Sequence, residues 1–243
     1  MSKKDAAHLA LYRTYRPQTF ADVRGQEHII DVLKAAIKNK KIGHAYLFAG
    51  TRGTGKTTVA RIFAREVGCT DKDLYEIDAA SNNGVDEIRA LREAVHTSPM
   101  ESPYKVYIFD EAHMLSKGAW NAFLKTLEEP PAHAIFILAT TELNKVPDTI
   151  LSRCETYSFR QPSREIIAGI VADVAKKEGA KLEKGAADLI ALLAEGSFRD
   201  ALSILQKVLT VSSDKKLDVA EVERVTAAPS ARVVFAIAEA LAT

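Results

Sequence analysis

The residues best suited to chemistry form one glycine-rich loop, Gly50-Thr51-Arg52-Gly53-Thr54-Gly55-Lys56-Thr57. This loop fits the pattern G-x-x-x-x-G-K-[ST], whose glycines let successive backbone N–H groups turn inward around an anion. An apolar run at 45–49 precedes the loop and a helical pattern follows from Thr58, so a helix N-terminus adds its partial positive charge. We expect Lys56 to reach the terminal phosphates and Thr57 to offer its hydroxyl to Mg²⁺. The loop therefore predicts a nucleoside triphosphate site.

A pair of acids, Asp110 and Glu111, directly follows the apolar run at 105–109. A continuous apolar run of this kind is typical of a central parallel strand that is buried on both faces. At the end of such a strand, Asp110 is placed to hold Mg²⁺ and Glu111 to polarise an attacking water. The alternative is that the acids only cap the next helix. We assign no role to His113, because a histidine at a helix start is more often a packing residue than a catalyst.

Two threonines and two arginines are weaker candidates. Thr140 and Thr141 end the apolar run at 134–139 and could bond a γ-phosphate or the water, although a threonine at a strand end is usually a cap. Arg153 has no acid three or four residues away, which leaves a surface arginine and an arginine finger as alternatives. Arg199, early in a later helical pattern, could reach the nucleotide from a second domain.

The elements that must position these residues alternate between strands and helices. Apolar or β-prone runs predict five strands, at 45–49, 74–78, 105–109, 134–139 and 155–159. Such alternation predicts an α/β fold with a doubly wound parallel sheet, whose ligand lies at the carboxyl ends of the strands. From Ser163 onward the pattern is helical only. We therefore expect a nucleotide-binding domain at 1–161, a helical domain at 162–228, and at 229–243 the start of a truncated further domain.

Composition limits the function classes. The 243 residues carry 33 basic and 32 acidic side chains, a net charge of +1, so no global basic field indicates nucleic acid and any DNA contact must come from local patches. Two cysteines, Cys69 and Cys154, cannot form a disulfide framework or a four-ligand zinc site, which suits a reducing cytoplasm. The basic N-terminus is not followed by an adequate apolar h-region, and no run approaches 18 apolar residues, so we expect neither a signal peptide nor a membrane span.

Two other nucleotide-binding classes can be compared with the sequence. A GTPase would carry Asn-Lys-x-Asp after a late strand, but in the segment 144–148 the aspartate, Asp148, comes one position too late and follows a proline. A small-molecule kinase would have a lid with several arginines, and the helical domain has few. Neither class fits.

Taken in order, the segments resemble the AAA+ ATPases of DNA clamp loaders, those of bacterial DNA polymerase III in particular. The residues that carry the resemblance are Tyr15-Arg16-Pro17-x-x-Phe20, Gly25-Gln26, the phosphate loop, Asp110-Glu111-Ala112-His113, Leu124-Lys125-Thr126-Leu127-Glu128-Glu129-Pro130-Pro131, Ala139-Thr140-Thr141, Ser152-Arg153-Cys154 and Gly196-Ser197-x-Arg199-Asp200. The similarity runs from about Leu11 to the end. The segments 124–131 and 152–154 are specific to clamp-loader subunits, whereas the phosphate loop is not.

The resemblance implies an AAA+ domain followed by a small all-helical lid, with ATP and Mg²⁺ as ligands. The implied roles are Walker A for Lys56 and Thr57, Walker B for Asp110 and Glu111, first sensor for Thr140 or Thr141, second sensor for Arg199, and for Arg153 a finger that enters a neighbouring subunit's site. The segment from Arg13 to Gly25, including Arg16 and Val23, would wrap the adenine, and Thr58 would complete the nucleotide-binding set. Asn83, Arg89 and Lys145 match regions that face the DNA backbone.

Family members sit in a five-subunit ring, open a sliding clamp when ATP is bound, and release it on primer–template DNA when ATP is hydrolysed. The resemblance thus implies other clamp-loader subunits, the sliding clamp and DNA as partners, in the cytoplasm and without a membrane. Relatives usually carry a four-cysteine zinc module between the phosphate-loop helix and the second strand. Here residues 69–74 connect these two elements directly, so we expect no zinc. Without the ring-assembling domain we expect this chain to be monomeric.

The alternatives to a clamp-loader motor are another AAA+ DNA motor, for branch migration or fork maintenance, and a clamp-loader adaptor that has lost hydrolysis.

Overall fold

The computed structural model describes residues 9–212 and 215–228, and the expected third segment, 229–243, lies outside them. The described residues divide into two compact units, one of residues 17–161 and the other of residues 9–16 together with 162–212 and 215–228. The expected first domain, 1–161, differs from the first unit at its N-terminal end. There a short helix, α1 (Leu11–Thr14), buries Leu11 among the helices that follow Pro162, and the Leu11 N–H donates to Gln206 Oε1 at 3.1 Å.

The first unit is built on a five-stranded parallel sheet with strand order β2-β3-β4-β1-β5. Its strands are β1 (Ala45–Ala49), β2 (Leu74–Asp78), β3 (Lys105–Asp110), β4 (Ala134–Thr140) and β5 (Glu155–Ser158). The prediction of a five-stranded parallel sheet is confirmed. The three central strands are the continuous apolar runs, because a strand covered by helices on both faces has no polar side.

Helices cover both faces of this sheet, and they are α2 (Glu27–Lys38), α3 (Lys56–Glu66), α4 (Val85–Val95), α5 (Lys117–Glu128) and α6 (Asp148–Leu151). Alternate side chains of β1 point to opposite faces. Tyr46 and Phe48 pack in a cluster with the apolar residues of α2 and α3, while Leu47 belongs to a second cluster with α4 and α5. The sheet is thus held between two cores, with the carboxyl ends of its strands left for the site.

One buried acid fixes the start of β2. Asp73 is fully buried, and its carboxylate accepts the N–H groups of Met100, Glu101 and Ser102 at 2.7, 2.9 and 2.9 Å. Burial opposes ionisation, but these donors outweigh it and lower the pKa of Asp73 to about 2. The carboxylate therefore ties the segment between α3 and β2 to the segment that precedes β3.

The second unit contains α7 (Arg164–Lys177), α8 (Lys184–Leu193), α9 (Phe198–Val211) and α10 (Val219–Thr226) around one apolar core. Side chains cap two of these helices, since Ser197 Oγ accepts the Asp200 N–H at 3.2 Å and Asp218 Oδ1 accepts the Glu221 N–H at 2.8 Å. The expectation of helices alone needs one correction, because β6 (Lys181–Leu182) and β7 (Lys216–Leu217) pair in parallel. Over the described residues, no helix is both long and apolar enough to cross a bilayer.

Candidate nucleotide-binding site

The phosphate loop lies between the end of β1 and the start of α3. Gly55 precedes the helix with φ 100°, a left-handed conformation that favours glycine. At Gly50 a Cβ atom would lie 2.6 Å from the carbonyl oxygen of Phe159, so only glycine lets the loop pass this close to the end of β5. Glycine is therefore required at position 55 by the backbone conformation and at position 50 by the close approach of Phe159.

The Lys56 side chain lies inside the loop. Its ammonium donates to the carbonyl oxygens of Gly50 and Thr51 at 2.8 and 3.0 Å, and the residue is only 6% exposed. Thr54 is buried as well, and its hydroxyl donates to the Thr51 carbonyl at 2.9 Å. Of the other loop residues, Thr51 and Arg52 are exposed and Gly53 is partly exposed. The loop thus carries a buried positive charge at the N-terminus of α3, which is the electrostatic requirement for binding an anion.

The structure brings Thr57 and Asp110 together. Thr57 Oγ1 donates to Asp110 Oδ2 at 3.0 Å, across the gap between the first turn of α3 and the end of β3. Next in α3, Thr58 is partly buried. A hydroxyl and a carboxylate oxygen side by side are hard ligands of the kind that Mg²⁺ prefers, so the residues present fit this ion.

At Glu111 the backbone adopts a left-handed conformation, φ 49°, and departs from the direction of β3. For a residue other than glycine this conformation costs about 1–3 kcal/mol and is found mainly where the surrounding structure imposes it. Two hydrogen bonds accompany it here. The Glu111 N–H donates to Asp110 Oδ1 at 3.1 Å, and the Thr141 hydroxyl donates to Glu111 Oε2 at 2.9 Å.

Thr140 is fully buried at the end of β4 and joins three groups. Its carbonyl accepts the Gly50 N–H at 3.2 Å, its hydroxyl accepts the Glu142 N–H at 3.0 Å, and the same hydroxyl lies 3.1 Å from His113 Nδ1. Thr140 and Thr141 thus face different neighbours, the first His113 and the second Glu111. The sequence reasoning gave His113 no role, so this contact was missed.

Gln26 is a second residue that sequence reasoning did not assign. It is fully buried, its side-chain N–H donates to the Arg160 carbonyl at 2.7 Å, and its Oε1 accepts the Arg160 N–H at 3.2 Å. Its amide also approaches the Thr54 carbonyl at 3.5 Å. Gln26 therefore fixes the chain after β5 next to the phosphate loop. Its place in the segment Gly25-Gln26 was the only signal available.

Arg153 has an acidic partner that local spacing could not identify. Its guanidinium donates to Glu128 Oε1 at 2.7 Å and to the Thr149 carbonyl at 2.6 Å. Glu128 is the last residue of α5 and is 25 positions away in the chain. Both side chains remain partly exposed, at 33% and 49%. The candidate finger is thus held on the surface of its own chain by an ion pair.

The candidates for the adenine and the second sensor lie in different units. Val23, which follows a 3-10 turn at 20–22, is partly buried against the cluster that contains β1. Arg16 belongs to the helical unit, as does Arg199, whose guanidinium carbon lies 5.7 Å from the centre of the Tyr12 ring. The roles of Arg16, Val23 and Arg199 stay predictions.

The three DNA candidates are exposed, and the two cations among them have acidic partners. Arg89 pairs with Asp86 at 3.1 Å, and Lys145 pairs with Glu142 at 2.9 Å, which lowers the pKa of that glutamate. Asn83 is exposed, and its carbonyl accepts the Ser116 N–H. The first turn of α4 carries two acids, which would repel a phosphate there. The DNA contacts remain predictions.

Comparison with known proteins gives consistent matches. A family model described as DNA polymerase III, delta subunit, matches residues 25–84 and 72–163, and one described as DNA polymerase III clamp loader subunit, ATPase lid domain, matches residues 166–214. DNA polymerase III subunit tau of Bacillus subtilis is 49% identical over 86% of this chain and 41% of its own length. DNA polymerase III subunit tau of Escherichia coli is 42% identical over 84% of this chain and 35% of its own length. The chain therefore spans less than half of the curated relatives it matches.

Among solved structures, the RuvB Holliday junction branch migration motor of Thermotoga maritima superposes with a TM-score of 0.73. The match covers 87% of this chain and 72% of that chain, at 22% sequence identity. At this identity the likeness shows a common fold alone.

Proposed function

This chain belongs to the AAA+ ATPases of DNA polymerase III clamp loaders, and we propose that it is the ATP-binding and ATP-hydrolysing part of a motor subunit that loads a sliding clamp onto primer–template DNA. The observation that carries the proposal is the contact between Thr57 and Asp110 at 3.0 Å. It joins the phosphate loop to the acid pair at the end of β3, so that one side binds phosphates and the other directs an attack on them.

Binding of ATP begins with the phosphate loop. Lys56 is held by the Gly50 and Thr51 carbonyls, and its ammonium can exchange these acceptors for the β- and γ-phosphates. The backbone N–H groups of 53–57 and the α3 N-terminus complete the anion site. Val23 and Arg16 are our candidates for contacting the adenine.

Magnesium fits the oxygen donors at the other side of the site. Thr57 and Asp110 would hold Mg²⁺, which when bound neutralises charge on the phosphates. We propose no zinc site, because the sequence has only two cysteines, Cys69 and Cys154, which is too few for a four-cysteine site. The proposed ligands are therefore ATP and Mg²⁺, without zinc.

Hydrolysis requires a base directed at the attacking water. Glu111 is the acid in position for it, since its backbone turns away from β3 and the Thr141 hydroxyl orients the carboxylate. Thr140, which bonds to the loop through Gly50 and is fully buried, would sense the γ-phosphate. Arg153 would complete the site of a neighbouring subunit, and Arg199 would act as second sensor.

The proposed partners follow from the family and not from surface charge. They are other clamp-loader subunits, the sliding clamp and primer–template DNA, in the cytoplasm. A branch-migration motor shares the fold at 22% identity, whereas the polymerase III relatives reach 49%. A non-hydrolysing adaptor would not need the intact Gly55-Lys56-Thr57 and Asp110-Glu111 that this chain retains. Both alternatives are therefore weaker.

Two substitutions test the proposal. Lys56→Ala removes charge-assisted hydrogen bonds worth about 1.5–3 kcal/mol, so ATP affinity should fall about 10- to 100-fold. Glu111→Gln keeps the size of the side chain but not the base, so affinity should stay within about 3-fold while turnover falls at least about 100-fold. Affinity is measured on this chain with a fluorescent ATP analogue, and turnover on the full-length protein assembled with its partner subunits, clamp and primed DNA.

Lys72→Ala is the matched control for the lysine, because Lys72 is 61% exposed and pairs with Glu101 on the surface. Its ATP affinity should equal that of the unsubstituted chain. Equal affinity in the Lys56→Ala chain would refute the site. Turnover that responds to DNA but not to the clamp would instead favour another DNA motor.

A further inference from the structure

His113 occupies a buried position between two acids. It lies in the 3-10 turn at 112–114 that follows Glu111, and its side chain is 6% exposed. Its Nδ1 is 3.1 Å from Thr140 Oγ1 and 3.5 Å from Glu111 Oε2, while its Nε2 is 3.3 Å from Glu142 Oε1. The ring therefore faces the carboxyl ends of both β3 and β4 with its polar atoms.

The two ring nitrogens have different tasks. With the proton on Nε2, the ring donates to Glu142 and accepts the Thr140 hydroxyl proton at Nδ1; with a proton on Nδ1, it donates toward Thr140 and Glu111. Nδ1 therefore connects Thr140 with Glu111 only when it carries a proton, and Nε2 contacts Glu142, which pairs with the exposed Lys145, only when Nε2 is protonated. A residue that only filled space here would need none of these contacts.

We propose that His113 is a positioning residue, which fixes Glu111 and Thr140 relative to each other through Nδ1. This inference rests on the proposed function, because it concerns the orientation of the base and of the γ-phosphate sensor in ATP hydrolysis. Thr141 holds Glu111 Oε2 from one side and His113 approaches the same oxygen from another. The Thr141 hydroxyl is a hydrogen-bond partner of this carboxylate, so removing the ring leaves the carboxylate more rotational freedom on the side that the ring now occupies.

The expected effect is on turnover and not on binding. Misplacing a catalytic group by about 1 Å can cost about 100-fold in rate. We therefore expect His113→Ala to lower kcat about 10- to 100-fold in the assembled, full-length protein, with the KM for ATP and the ATP affinity of the chain within about 3-fold of their starting values.

Two conservative variants separate positioning from packing. In His113→Asn the amide occupies the place of Nδ1, and in His113→Gln it occupies the place of Nε2. The proposal requires that asparagine restores more of kcat than glutamine does, since the contact with Glu111 and Thr140 runs through Nδ1. If His113→Ala does not fold, the comparison of these two variants still decides.

A second histidine provides the matched control. His133 lies just before β4, at the opposite end from Thr140, about 23 Å away for a rise of seven residues along the strand. Its Nε2 contacts the Val95 carbonyl at 2.9 Å. His133→Ala should leave kcat unchanged.

The outcomes separate the two proposals. Turnover that depends on Glu111 but is unchanged in His113→Ala overturns the role of His113 alone, as does glutamine restoring kcat as well as asparagine. Equal turnover in Glu111→Gln and the unsubstituted protein overturns the proposed function itself. A selective loss of kcat with rescue by asparagine supports both.

Discussion

Replacing Gln26 should loosen the chain after β5 and the phosphate loop together. Two hydrogen bonds of good length join the buried amide to the Arg160 backbone, at 2.7 and 3.2 Å, whereas the 3.5 Å approach to the Thr54 carbonyl is too long to count. Each bond contributes about 1 kcal/mol net, and the space left by the side chain costs about another 1 kcal/mol. Gln26→Ala should therefore lower the free energy of unfolding by about 2–3 kcal/mol.

Urea unfolding followed by tryptophan fluorescence measures this loss. The chain has one tryptophan, Trp120 on α5, which is buried in the same unit as Gln26, so the signal reports on that unit. The midpoint should fall with little change in the slope of the transition. Because the amide is beside the loop, ATP affinity should also decrease several-fold.

Gln18 is the matched control, since it is an exposed glutamine of the same unit whose side chain accepts from Arg65 at 2.7 Å. Gln18→Ala should cost less than about 0.5 kcal/mol, as surface substitutions usually do. The reasoning is refuted if Gln26→Ala costs no more than Gln18→Ala.

Two further predictions concern acids outside the phosphate loop. Folding lowers the pKa of Asp73 from 3.8 to about 2, so the ionised carboxylate contributes about 2 kcal/mol of stability above pH 4, and this contribution disappears as the pH falls toward 2. In urea unfolding measured across pH, the Asp73→Asn chain should be less stable at pH 7 and should lose less stability on acidification. The control Asp71→Asn, at an exposed position, should show neither effect. Glu128→Gln should cost at most about 1 kcal/mol, because its pair with Arg153 is partly exposed, yet lower turnover of the assembled protein several-fold by releasing the finger. The ATP affinity of the Glu128→Gln chain should not change. The control Glu129→Gln should change neither stability nor turnover. Turnover in Glu128→Gln equal to that of the unsubstituted protein would contradict the role assigned to the pair.

The parts of the site that the sequence predicted depend on local spacing. The phosphate loop is eight consecutive residues, and its pattern of glycines, lysine and threonine is the one that a loop turning around an anion requires. Asp110 and Thr140 were found because each ends an apolar run, and parallel strands bring their carboxyl ends to one edge of a sheet. The pairing of β3 with β4 places the ends of these two strands side by side.

The parts that the sequence did not predict depend on contacts between distant segments. Gln26 meets Arg160 across 134 positions, and Arg153 meets Glu128 across 25, whereas rules for ion pairs within a helix consider only neighbours three or four positions away.

His113 shows a different limit. It is two residues from Glu111, so the sequence placed it near the site, but a histidine beside a strand end can equally pack, cap or orient a catalytic group. The choice depends on what lies opposite the ring, and here Thr140 and Glu142 come from the end of the neighbouring strand and the loop after it. Spacing along the chain therefore predicts which residues are candidates for acting on a nucleotide. The contacts between β3 and β4 ends identify which residues hold them in place.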